Sequence, residues 1–205
     1  TGTINGSSPW QIISSGGVAN DTTVESAGSQ IIENGGTANR TWLKSGGKQH
    51  ISSGGSADST TIQNGGSQFI ADGGIVTNNT IEDTGSQFIS SGGVVIGTII
   101  NSGGRQNVSF GGVASNTTVG SGFQYVSSGG IANSTTINAG GEQHVTGGSV
   151  SGGNGYAGLH YTFFTGAGKA SNTIINAGGK QVLISGGQAY NTTINEGGTQ
   201  ILDSG

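Results

Sequence analysis

The chain has no cysteine, no methionine and one proline in 205 residues, and only 8% of its residues are charged. Without cysteine there is no disulfide framework, which fits an exported chain that stays unlinked during passage. A net charge of −4 is too small for a segment kept open by self-repulsion. The basic residues are Arg40, Lys44, Lys48, Arg105, Lys169 and Lys180, too few to neutralise a phosphate backbone, so nucleic acid is excluded as a partner. No apolar run approaches the roughly 18 residues that span a bilayer, and no membrane insertion of this segment is expected. The opening Thr1-Gly2-Thr3 lacks the charged and apolar regions of a signal peptide, so the chain is expected to be a mature piece of a longer protein.

What is abundant is glycine, with 44 residues. A flexible linker would not carry Ile and Val at regular spacing. Collagen needs glycine at every third position, whereas these glycines come in pairs. The composition points to an ordered fold that places glycine at fixed turns.

The spacing of glutamine reveals the repeat. Gln11, Gln30, Gln49, Gln68, Gln87, Gln106, Gln124, Gln143, Gln181 and Gln200 are separated by 19 residues, with one interval of 18 and one of 38. Taking the 38 as two periods, with Thr162 in the glutamine position, gives eleven anchors. Two residues after each anchor stands a large apolar residue, from Ile13 and Ile32 to Phe164, Leu183 and Leu202. A glycine pair follows, and then a small apolar residue eight after the anchor, such as Ala19, Ala38 and Ala57. Thr and a β-branched residue or Leu come next, as in Thr60-Thr61-Ile62, before glycine closes the period.

Side chains two apart share one face of a strand, so each period holds two inward-facing strand runs joined by glycine corners. Coils stacked about 4.8 Å apart make an all-β solenoid, a parallel β-helix about 50 Å long for eleven turns. One coil cannot bury its own faces, so stability is shared between neighbours. Residues 1–205 are expected to form a single domain, with a divergent coil at 147–161 that lacks the Thr-Thr-Ile signature and puts Tyr156 where Ile or Val normally stands.

Chemistry-bearing residues are sparse. Glu82-Asp83 is the adjacent carboxylate pair, with Asp72 in the same coil, and a solvated turn accounts for it better than a hydrolase or lyase site. His50 and His144 share one column five coils apart, about 24 Å by strand spacing, too far to hold one metal ion. His160 stands alone in the divergent coil. The calcium-binding Gly-Gly-x-Gly-x-Asp nonapeptide is missing, and no metal, cofactor or catalytic set is expected. A polysaccharide-cleaving β-helix enzyme is the competing class.

Two surface features stand out. The column just after the anchor faces outward yet carries Ile12, Ile31, His50, Phe69, Phe88, Tyr125, His144, Phe163, Val182 and Ile201, a candidate contact face. Ser15, Ser45, Ser53, Ser91, Ser102, Ser128 and Ser185 immediately precede the corner glycines, where small polar residues also simply suit turns. Asn-x-Ser/Thr triplets at Asn20, Asn39, Asn116, Asn133 and Asn191 follow from the repeat itself.

The run Ser53-Gly54-Gly55-Ser56-Ala57-Asp58-Ser59-Thr60-Thr61-Ile62-Gln63-Asn64-Gly65-Gly66-Ser67-Gln68 resembles the passenger repeats of self-associating autotransporters of Gram-negative bacteria. That group includes TibA, the diffuse-adherence adhesin and antigen 43, with TibA the most similar. The resemblance spans nearly the whole chain and is weakest at 147–161. It implies a right-handed helix, display on the cell surface, adhesion to host cells, autoaggregation and biofilm formation. It further implies O-linked heptose added to Ser by a cytoplasmic heptosyltransferase, for which the seven serines above are the candidates. Self-association is expected through Phe69, Phe88, Tyr125 and Phe163.

Overall fold

A computed structural model of the chain describes residues 2–5, 9–147 and 166–203, and their regular structure is entirely β-strand. The strands that carry the glutamines, from Trp10–Ile13 to Thr199–Asp203, form one ten-stranded parallel sheet. Register is strict, with Gln11 beside Gln30, Gln30 beside Gln49, and so on along the stack. The Ala and Thr-Ile segments make a second parallel sheet, as where Val76 lies between Ala57 and Val95 and Ile81 between Ile62 and Ile100. A single residue at positive φ bends the coil between these two segments: Arg40, Ser59, Asn78, Asn116, Asn172 and Asn191 all take this role.

The stack counts ten glutamine strands rather than eleven, because the ladder passes directly from Gln143 to Gln181. Ala132 likewise pairs with Ala170, and Ile137 with Ile175. The 38-residue interval is therefore one coil carrying an insertion as long as a period. The expected divergent coil takes no place between these neighbours. Residues 148–165, including Tyr156, His160, Thr162, Phe163 and Phe164, lie outside the described residues.

The core is layered across the coil. Ile13, Ile32, Ile51, Ile70, Ile89 and Val108 pack with Ala19, Ala38, Ala57, Val76, Val95 and Ala114 in one apolar column. Val24, Leu43, Ile62, Ile81, Ile100, Val119, Ile137 and Ile175 form a second. Fully burying each such side chain contributes about 1.5–3 kcal/mol. Between the columns runs a polar seam. Each glutamine donates its Nε2 hydrogen to the Oε1 of the glutamine one coil earlier, through nine bonds of 2.6–2.9 Å from Gln30→Gln11 to Gln200→Gln181. All point the same way. The second lone pair of several Oε1 atoms accepts from the inner Thr of the facing strand, as Thr60 to Gln49 at 3.3 Å and Thr135 to Gln124 at 3.1 Å. Asn79 replaces that Thr in one coil and reaches Gln68 at 2.7 Å. Among the described residues, Thr98 Oγ1 and Thr192 Oγ1 are buried without a partner.

The glycine pairs divide their work. In the corner Lys44-Ser45-Gly46-Gly47, the Gly47 amide donates to the Lys44 carbonyl, while Ser45 and Gly46 take φ of 53° and 79°. That is a turn with two left-handed central residues. Positive φ thus falls on the first glycine and on the serine before it, not on both glycines as the pairing suggests. The second glycine is required by proximity. A Cβ on Gly47 would overlap the Val24 carbonyl of the previous coil, whereas Gly46 faces open space. Gly65 and Gly66 repeat the pattern against Leu43. Gly46→Ala is expected to cost about 1 kcal/mol through backbone strain alone. Gly47→Ala is expected to cost about 3 kcal/mol or more, because a coil must move away from its neighbour. Urea unfolding of the two variants compares them, and equal losses would contradict the division of roles.

Candidate functional site

With the interior filled by seam and columns, chemistry is left to the outer faces and the corners. On the outer face of the ten-stranded sheet the column after the glutamines becomes a stack of rings. His50 lies on Phe69 with centroids 4.8 Å apart and planes 11° apart, and Phe69 lies on Phe88 at 5.1 Å and 9°. Asn107 interrupts the row, which resumes with Tyr125 and His144 at 5.3 Å. Strand spacing imposes this, since identical positions on paired strands stand about 4.8 Å apart. The rings therefore spend their faces on one another and present mainly edges to solvent. Phe69 and Tyr125 are half-buried and Phe88 is 38% exposed. Val182, expected to face outward in the same column, is buried.

Charge on this face is organised around the neighbouring column. Glu142 accepts from His144 Nε2 at 2.8 Å and faces Lys180 at 3.7 Å, and these contacts, the His144 bond first, hold its carboxyl below the usual range. Burial, and secondarily the charge of Lys48, pushes the His50 pKa down. On the other sheet Arg40 grips Asp21 through two bonds of 2.6 and 2.9 Å, the pairing that holds the Asp21 pKa down. Asp58 accepts from Thr77, Ser59 and Asn78, and the Thr77 bond leads in lowering its pKa.

The corners form two rows. Ser15, Ser53, Ser91, Ser128 and Ser185 occupy the row after the glutamine strand, and Ser45 and Ser102 the row before it. All are exposed except Ser128, which is half-buried. Beside it the exposed Phe110 ring reaches over Gly129. In the first row, serine recurs on every second coil of the stack, with Asn34, Asp72 and Phe110 between, a repeat of about 9.6 Å.

The expected acidic residues are not brought together. Asp72 sits in one corner row and Asp83 in the other, with the strands Ile75–Thr77 and Thr80–Ile81 between them. His50 and His144 stay five strands apart. Among the described residues no group of three His, Cys, Asp or Glu could hold a metal ion. Sequence reasoning missed the glutamine–threonine seam, although glutamine and the following Ile had already been placed on one face. The signal was an invariant amide at an inward position, which a core admits only when paired.

These features define a parallel β-solenoid stalk, a rod whose interior is structural and whose outer faces and corners vary. The sequence model for adhesins of bacterial autotransporter systems, described as a probable stalk, matches residues 11–66 and 154–205. Among solved structures the chain is similar to a TibA fragment hyper-glycosylated by TibC, at 32% identity and a TM-score of 0.70 over 98% of this chain and 95% of that one. No curated protein matches. The chain belongs to the AIDA family of autotransporter adhesin stalks.

The depressed pKa of His50 fixes the sign of one pH effect. A folded-state pKa below the unfolded value means stability is full above the unfolded value and is lost as pH falls through the folded one. His50→Phe, which copies Phe69 in the next coil, is expected to reduce the loss of stability between about pH 7.5 and pH 5. Urea midpoints at the two pH values measure this, and an unchanged pH dependence would exclude His50 as a contributor.

Proposed function

We propose that this chain is a non-catalytic adhesive stalk, displayed on the surface of a Gram-negative bacterium, with O-linked heptose on its corner serines and contacts to host cells and to copies of itself. The observation that carries the reading is the corner row. Ser15, Ser53, Ser91 and Ser185 are exposed at turns, where an added sugar displaces no core contact. Glycine follows each of them, so no neighbouring side chain crowds a transferase. Alternate-coil spacing of about 9.6 Å gives each sugar ring room that adjacent coils at about 4.8 Å would not.

The likeness to a TibC-glycosylated TibA fragment supports a cytoplasmic heptosyltransferase as the partner in modification. Transfer before export would act on unstacked chain, so local Ser-Gly sequence matters more than final exposure. Ser128 is then an acceptor despite its half-buried place, and Ser45 and Ser102 follow the same rule. Homotypic association draws on the ring-edge face of Phe69, Phe88 and Tyr125, an apolar strip broken once by Asn107, where weak contacts add.

Intact mass and peptide mapping of protein from its native host, beside protein made without a heptosyltransferase, tests the reading. Mass added in steps of one heptose, mapping first to Ser15, Ser53, Ser91, Ser128 and Ser185, is the expected result. Increments on Thr or Asn would reject the serine rule, and none at all would reject the modification.

A further inference from the structure

The outer face of the ten-stranded sheet holds a second column beside the ring stack, at the position just before each glutamine. Strand pairing lines up Trp10, Ser29, Lys48, Ser67, Ser86 and Arg105 in successive strands, along about 24 Å of rod. Trp10 is 67% exposed, and with Ser29, Ile12, Ile31 and Lys48 it lines a depression of about 620 Å³. Charge on this column has one sign. The chain as a whole carries −4, yet Lys48 and Arg105 are exposed and make no ion pair with any described residue. No carboxylate occupies an outward strand position of this sheet from Trp10 to Tyr125. The first to do so is Glu142, which His144 and Lys180 already hold. Nearer acids stand at the corners before the column. There Glu25 is paired with Lys44, and Glu82 and Asp83 lead into Ser86.

We infer that this column is a binding strip for a linear acidic polysaccharide of the host-cell surface, one that carries a uronate carboxylate at intervals along its chain. Trp10 offers an apolar ring to the C–H face of one sugar, and Lys48 across the depression pairs with a carboxylate near it. Arg105, about 14 Å further along, takes a second carboxylate in its planar fork. Ser67 and Ser86 between the two cations leave the column low and offer hydroxyls to those of the sugars. A single terminal acid would meet only one cation, so the strip suits a chain and not an end group. A nucleic acid, with a phosphate on every unit, would find too few cations. Glu82 and Asp83 repel the glycan from the corner and keep it on the sheet. The inference gives the host contact of the proposed function a chemistry. It rests on that reading only for surface display, which binding by the isolated chain does not need.

Hyaluronan oligosaccharides, in which uronate alternates with an uncharged sugar, test it against the purified chain. A decasaccharide should bind, should weaken with added salt and should bind more tightly than the disaccharide, while dextran oligosaccharides of equal length should not bind. Trp10→Ser, Lys48→Ser and Arg105→Ser each copy the serines of the same column, so thermal unfolding should stay unchanged. Loss of either cation should weaken decasaccharide binding about two- to fivefold, as for an exposed ion pair. The two stand far apart, so their effects should multiply in the double variant. Trp10→Ser should weaken binding about tenfold, and Ser67→Lys should strengthen it about two- to fivefold. Disaccharide or dextran bound as tightly as the decasaccharide, or unchanged affinity in the double variant, would overturn the proposal. On cells displaying the passenger, attachment should fall when the host cells are treated with a uronate-cleaving lyase. A fall only on treating the bacteria would overturn the assignment to the host surface.

Discussion

A primary amide inside an apolar core must find partners for two donors and an acceptor, or it costs about 1–3 kcal/mol for each group left bare. This chain places one such amide in every coil, where it donates to the coil before and accepts from the coil after. The columns of Ile, Val and Ala on either side have no comparable demand. They would pack almost as well if one coil slid relative to the next. The glutamines would not, because a one-residue slip turns them outward and a two-residue slip sets Gln against Ile. The ladder thus converts a repetitive hydrophobic interior into a stack with one register. The direct bond from Gln181 to Gln143 shows the demand operating across 38 residues of chain.

Other features follow from holding the coils in that register. With coils at ladder spacing, the second glycine of each corner sits against a carbonyl of the previous coil, and no side chain fits there. The preceding two positions point into solvent and hold the positive φ that reverses the chain. Selection on the interior is therefore severe at a few positions, and the outward columns and corner tips are free to carry rings, apolar groups, charges and serines. A rod built this way has its working surfaces on the outside, in rows whose spacing is inherited from the ladder. The stacked rings from His50 to Phe88 and the alternate-coil serines are both products of that spacing.

Much of this was legible in the sequence. The glutamine spacing gave the repeat and the fold class, and the columns of Ile13, Ala19 and Val24 and their successors are the core. The inward Thr of the pairs beginning at Thr22, Thr60, Thr117 and Thr135 is buried as its alternation implies. Three things were not legible, each for a physical reason. An insertion as long as one period is arithmetically the same as a period, so spacing alone counted Thr162 as an anchor that the ladder passes over. Glycine has two distinct uses, positive φ and close approach, and only the neighbouring coil tells Gly46 from Gly47. Ile75, Val94, Val113 and Ile131 fill one column in consecutive coils, but the exposed Ile96 and Ile99 stand in two mostly polar columns and join that run only when strands pair in space. The serine rows were visible in the repeat.

The ladder is most directly tested at Gln106. Its amide donates to Gln87, and its oxygen accepts from Gln124 at 2.7 Å and from Thr117 at 3.4 Å. Gln106→Leu keeps the volume and adds apolar surface while stripping partners from all three neighbours. If paired amides hold the stack in register, urea unfolding should show a loss of about 2–4 kcal/mol despite the gain in hydrophobicity. An unchanged or raised unfolding free energy would contradict the account and leave the apolar columns as what holds the rod together.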